Sequence, residues 1–125
     1  MNIQDAAHLS IHPMRGALFE NFVMLELLKQ RLNAGLSADL YFWRDNLGDE
    51  IDIVIEHGDV AVPVEVKSSA TVTADHFRTL RKWRAITKQD QRAFLVYAGS
   101  EAHDVNDTYV IPWDSLLDIR KRLKR

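Results

Sequence analysis

The chain has 125 residues, enough for one domain and too few for two, and it reads as a single domain over 1–125. It holds no cysteine, which excludes disulfides, thiolate zinc sites and a cysteine nucleophile and fits a cytoplasmic setting; no apolar run approaches the ~20 residues of a membrane span. The net charge of −2 hides an acidic stretch from Asp39 to Asp59 and basic ones from Arg78 to Arg92 and Arg120 to Arg125, a separation suited to a cation site beside an anion-holding surface.

Met1 to His12 carries no periodic signal and reads as a lead-in. Pro13 to Leu32 is the clearest helix: Leu18, Phe22, Leu25 and Leu32 mark an apolar stripe, Phe19, Val23 and Leu27 widen it, and Gly35 follows as a stop. Apolar over more than half its circumference, this helix is expected to be substantially buried. Three strands follow, at Asp39 to Arg44, Glu50 to Glu56 and Val60 to Ser68, the last two joined by the turn-forming His57-Gly58-Asp59 as an antiparallel hairpin. A second helix is expected from about Ala74 to Lys88, with Phe77, Leu80 and either Trp83 or Arg84 inward. Ala93 to Ala98 reads as a buried strand and Thr108 to Ile111 as a final one. A C-terminal helix then starts at Pro112, with Leu116, Leu117 and Ile119 inward. The order gives an α/β fold with a mixed sheet.

The hairpin carries the chemistry. Alternation puts Ile51, Ile53 and Ile55 on one face and Val62, Val64 and Val66 on one face of the next strand. If all six cover one core, a two-residue turn at Gly58-Asp59 pairs His57 with Val60 and Ile53 with Val64, and sets Asp52 opposite Glu65. Opposed Cβ atoms lie about 4.5–5.5 Å apart, and Lys67 is next along the same face. Two carboxylates that close, partly buried, require that one be protonated or that a cation sit between them. Hard oxygen donors suit Mg²⁺ or Mn²⁺, and a lysine there can orient an attacking water or stabilise charge on a phosphate. The alternative is a solvated hairpin face with cross-strand ion pairs. Against it stand Pro63 on the same face, awkward in a central ladder though compatible with an edge strand, and Glu20 within the greasy first helix.

The residues Gly16 to Glu20 (G-A-L-F-E), Asp52 within E-I-D-I-V-I, and Glu65 to Lys67 (E-V-K) resemble the PD-(D/E)XK phosphodiesterase superfamily. That resemblance implies a restriction-endonuclease-like αβββαβ core with a mixed central sheet flanked by helices. More narrowly, G-A-L-F-E-N-F-V-M-L-E-L, Y-F-W-R, V-P-V-E-V-K-S-S and V-I-P-W are similar to the C-terminal domain that follows an AAA-type ATPase module in many bacterial and archaeal proteins, over Pro13 to Trp113. The resemblance implies Asp52 and Glu65 as metal ligands with the Val66 carbonyl as a third, Lys67 as the catalytic lysine, Glu20 completing the site, Mg²⁺ or Mn²⁺ as cofactor, and DNA and an ATPase module as partners. It departs from the superfamily pattern where Ile51, not proline, precedes Asp52. No G-x-x-x-x-G-K-[ST] occurs, so ATP hydrolysis does not reside in these residues.

Glu26 lies about 240° around the helix from Glu20 and reads as a structural ion-pair or capping partner. The five histidines show no zinc spacing, and His57 and His76 are expected to face solvent. Arg78, Arg81, Lys82, Arg84, Lys88 and Arg92 form a basic run that is either merely solvated or contacts backbone phosphate, with Arg78, Arg81, Lys82 and Lys88 as the candidate contacts. Trp43, Trp83 and Trp113 are expected in the core or at an interface. Three functions compete: a metal-dependent DNA nuclease, an inactive nucleic-acid-docking or regulatory module of an ATPase, and a homo-oligomerisation domain.

Overall fold

The computed structural model describes residues 15–88 and 92–123; the lead-in, Pro13 and the last two residues of the basic tail lie outside them. Helix α1 (Arg15–Asn33) is built from good helix formers and ends in a Schellman-type closure. The Leu36 amide donates to the Arg31 carbonyl at 2.9 Å and the Gly35 amide to the Leu32 carbonyl at 3.1 Å, with Gly35 at φ 76° supplying the left-handed residue.

The core that α1 covers is formed by Phe19, Val23 and Leu27. At 100° per residue these lie roughly opposite Leu18, Phe22, Leu25 and Leu32. The expected central stripe is therefore the outer one: Phe22, Leu25 and Leu32 are 41%, 57% and 55% exposed. With both faces apolar, periodicity could not choose between them; the sheet did, because it covers one side of the helix only.

Strands β1 (Leu40–Arg44), β2 (Glu50–His57) and β3 (Val60–Lys67) follow, then a 3₁₀ turn (Ala74–Phe77) running into α2 (Arg78–Thr87), then β4 (Ala93–Tyr97), β5 (His103–Val105), β6 (Thr108–Pro112) and α3 (Leu117–Leu123). They form a mixed six-stranded sheet, order β1-β2-β3-β4-β6-β5, with β3, β4 and β6 mutually parallel. One face, built by Ile53, Ile55, Val62, Val64, Val66, Phe94 and Val96, packs against α1 and against Leu116 and Ile119 of the C-terminal segment. The other packs Phe77, Leu80 and Trp83 of the 3₁₀–α2 unit. This is the α/β architecture with helix-flanked mixed sheet that the element order implied.

Three expectations need correction. The C-terminal helix does not start at Pro112, which still pairs with Tyr97 in the sheet; Leu117 is exposed while Leu116 and Ile119 are buried. β5 escaped the sequence reading because it is a short, charged edge strand; its only signal was the turn-forming Asn106-Asp107, with Asn106 at φ 52°. Pro63 sits in an interior strand. The Val66 amide points toward β2, so by alternation the Pro63 nitrogen points toward β4, whose ladder begins only at Val64↔Phe94, and no hydrogen bond is lost there.

Candidate functional site

The β2–β3 hairpin has the register that alternation dictates: His57↔Val60 closes a two-residue turn with Gly58 at φ 64°, and Ile53 pairs with Val64. The ladder then stops. One step beyond, the two strands are joined through side chains. The Val66 amide donates to Asp52 Oδ2 at 2.8 Å, and the Asp52 amide to Glu65 Oε1 at 3.4 Å. Each carboxylate thus takes a backbone donor of the opposite strand where the ladder opens.

The opening has a local cause on the other side of β2. Against β1, Tyr41 pairs with Val54 but Trp43 with Ile51, so three steps on β2 match two on β1 and the extra residue falls at Asp52-Ile53. Such a bulge bends the strand and shifts its facing. Ile51 accordingly joins Val54, Leu80 and Trp83 on the α2 side rather than Ile53 and Ile55 on the α1 side, which corrects the expectation that the three isoleucines share a face. Asp52 stands at the switch, close enough to α1 for its charge to act on Glu20.

Burial sets the electrostatics. Glu65 is 4% exposed, and its carboxyl is pushed up to about 9, first by burial and then by its hydrogen bond and charge contact with Asp52; Lys67 Nζ, 3.9 Å from Glu65 Oε2, only partly offsets this. Glu20, exposed near the start of α1, is also raised, by partial burial and then by Asp52, with Lys67 opposing and Glu50 adding. The structure therefore brings Glu20, Asp52, Glu65 and Lys67 into one electrostatic unit drawn from α1, β2 and β3. Without a cation, the buried pair meets the repulsion by holding a proton on Glu65.

His76 was expected in solvent and instead is half-buried beside this unit. Its Nδ1 accepts the Thr73 amide at 3.2 Å, and burial and then the Lys67 charge hold its pKa down. The sequence signal was Thr73-x-x-His76 at a helix start, where position N3 commonly returns a side chain to the cap. Glu26 pairs with Lys29 at 3.2 Å, as its position suggested. His8 and His12 lie outside the described residues.

The donor set fits a hard divalent ion that keeps most of its waters, since such ions take one or two carboxylates. Asp52 and Glu65 supply two, and the Val66 carbonyl, which projects to the same side as its amide, faces the same gap. Among the described residues no group of three or more His, Asp or Glu side chains is already gathered around a metal position.

The basic run divides. Lys82 Nζ lies 2.6 Å from both Asp45 and Asp49, and Arg78 Nη2 lies 3.3 Å from Asp49. Those acids raise the Lys82 pKa and are themselves lowered by it. Lys82 is thus paired with two acids of the β1–β2 loop, and Arg78 is partly engaged in the same way. Arg81 and Lys88 are exposed on α2 and at its left-handed C-cap. Trp83 is core, and Trp113 is exposed with its ring edge-on to Phe22 at 5.8 Å.

The family described as a domain of unknown function, DUF4143, matches residues 15–116. The uncharacterised proteins Mb2031c of Mycobacterium bovis and Rv2008c of Mycobacterium tuberculosis are each 29% identical over 119 residues, covering 94% of this chain and 25% of theirs. The chain spans about a quarter of the length of these curated relatives. Among the described residues no helix is long and apolar enough to cross a membrane.

Proposed function

Since the chain belongs to the DUF4143 family, whose description leaves activity open, we propose that it is a divalent-metal-dependent phosphodiesterase domain acting on DNA, working beside an ATPase module in a longer protein. One observation carries this reading: a buried Glu65, raised to about 9, beside an Asp52 whose carboxylate sits in a broken ladder. A purely structural hairpin gains nothing from that arrangement, because burying two adjacent carboxyls is unfavourable unless a cation or proton compensates. The PD-(D/E)XK-like order of Glu20, Asp52, Glu65 and Lys67 supports the same class of chemistry, and the fourfold length of the relatives supports a domain with a larger partner module.

Asp52, Glu65 and the Val66 carbonyl would hold Mg²⁺ or Mn²⁺, which supplies Lewis-acid activation of water and phosphate. Lys67 is partly exposed and only loosely paired with Glu65, at 3.9 Å, so its charge can extend to a phosphate oxygen and stabilise it as negative charge grows. Glu20 is an acceptor for the proton of an attacking water, its raised pKa bringing it closer to neutral pH. Arg81 and Lys88 are the remaining candidates on α2 for sequence-independent backbone contact.

Asp52→Ala and Lys67→Ala should each abolish Mg²⁺-dependent DNA cleavage while circular dichroism and melting behaviour stay native. Equal cleavage by these variants and the wild type would remove the site from consideration. A second reading, a catalytically inactive DNA-docking module, is favoured by the lack of a ready three-ligand cluster among the described residues. Calorimetric Mn²⁺ titration separates the two: saturable binding lost in Glu65→Ala supports the enzyme. DNA binding that persists in chelator, without cleavage, supports the docking module.

A further inference from the structure

At the closed end of the β2–β3 hairpin, away from Asp52 and Glu65, lies a cleft of about 700 Å³. Val62 and Phe94 line its sheet side, Leu123 and Arg122 of α3 a second wall, and Arg92 and Tyr109 a third, with His57, Val60 and the Gly58-Asp59 turn at its rim. The volume is in the range of small-molecule sites.

Its cations are arranged unusually. The Arg92 guanidinium carbon lies 4.0 Å and that of Arg122 3.9 Å over the centre of the Tyr109 ring. Both cations therefore stand close to the same ring at the wall of the cleft. A guanidinium held against an aromatic ring can still offer its N–H groups to an oxyanion in bidentate fashion. Arg92 is partly engaged, donating to the Asn106 carbonyl at 3.1 Å and facing Asp104 at 3.6 Å, yet its Nε is buried with no acceptor. Arg122 makes no ion pair among the described residues, and Asp59 is the one acid lining the cleft. Two like charges drawn to one ring repel, and an anion reached by both relieves that repulsion. Phe94, Val62 and Leu123 offer an apolar floor beside it.

We propose that this cleft binds a small phosphomonoester carrying a planar or apolar body, its phosphate on the Arg92–Arg122 pair and its body against Phe94 and Leu123. The site is independent of the carboxylate site and of any metal.

The test is isothermal titration of the full chain in chelator with AMP, adenosine and inorganic phosphate as separate probes. Saturable AMP binding is expected, with adenosine and phosphate each weaker by about tenfold or more. Arg122→Gln, on an exposed helix position, should weaken AMP by about tenfold, the scale of one charged hydrogen bond. Lys67→Ala should bind AMP like the wild type. The proposal is overturned if the wild type shows no saturable AMP binding, a result that needs no variant to fold. It is equally overturned if Arg122→Gln binds unchanged, if adenosine or phosphate alone binds as tightly as AMP, or if Lys67→Ala loses binding. None of these outcomes bears on metal-dependent cleavage.

Discussion

Glu65 makes the behaviour of single residues measurable. Its pKa in the fold is about 9 against an ordinary 4.5, so the protonated form is the one the fold prefers. A raised folded-state value means that this contribution is complete below about pH 4.5 and is lost as the pH climbs toward 9. Glu20 is shifted in the same direction and adds to the trend. In chelator, the melting temperature of the wild type should therefore fall between about pH 5 and pH 9. Glu65→Gln, neutral and of the same shape, should remove most of that slope and melt roughly 5 °C or more above the wild type near pH 8.5, with the gap closing near pH 5. A flat wild-type profile over that range would contradict the assignment. Added Mn²⁺ should raise the wild-type melting temperature near pH 8.5 and leave Glu65→Gln unmoved, because only an ionised Glu65 gains from the cation.

At the level of elements, α1 shows how an apolar surface and a buried one differ. Leu27 belongs to the core, whereas Leu25, two residues away, is 57% exposed. Leu27→Ala should cost about 2–5 kcal/mol in denaturant unfolding, and Leu25→Ser should stay within about 0.5 kcal/mol. The reverse ranking would mean that α1 lies on the sheet by its other face. The buried Arg31 explains why the helix end is held in place: its Nε donates to the Ser37 carbonyl at 2.8 Å and its Nη2 to the Glu56 carbonyl at 3.1 Å, tying α1 to the loop before β1 and to β2. The β2 bulge has the corresponding role in the sheet, since it breaks the ladder where Asp52 must turn toward β3.

For the molecule as a whole, the separated charges are partly internal. The acidic β1–β2 loop, folded around Asp45 through its bonds from the Leu47 and Asp49 amides, is clamped to α2 by Lys82 and Arg78. Lys82→Ala should leave Asp45 and Asp49 unneutralised and accelerate amide hydrogen exchange at Leu47 and Asp49. It should change DNA affinity less than Arg81→Ala combined with Lys88→Ala, measured at one fixed salt concentration. If Lys82→Ala weakens DNA binding as much as the double variant, the clamp is not where its charge acts.

Much was legible in the chain because it depended on local rules. The turn at Gly58-Asp59 and the alternating β-branched rows determined the hairpin register, and with it the meeting of Asp52 and Glu65. The inward placement of Phe77 and Leu80 followed from helical spacing alone, whereas the choice of Trp83 over Arg84 came only with the fold. Tertiary structure decided what local rules leave degenerate. It chose which side of a doubly apolar α1 to cover, moved Ile51 to the other face through a bulge that only the β1 partner imposes, and brought acids from distant segments onto Lys82. Those outcomes depend on contacts between elements far apart in sequence, whose free energies no single segment encodes, whereas a register or a turn is settled by neighbours along the chain.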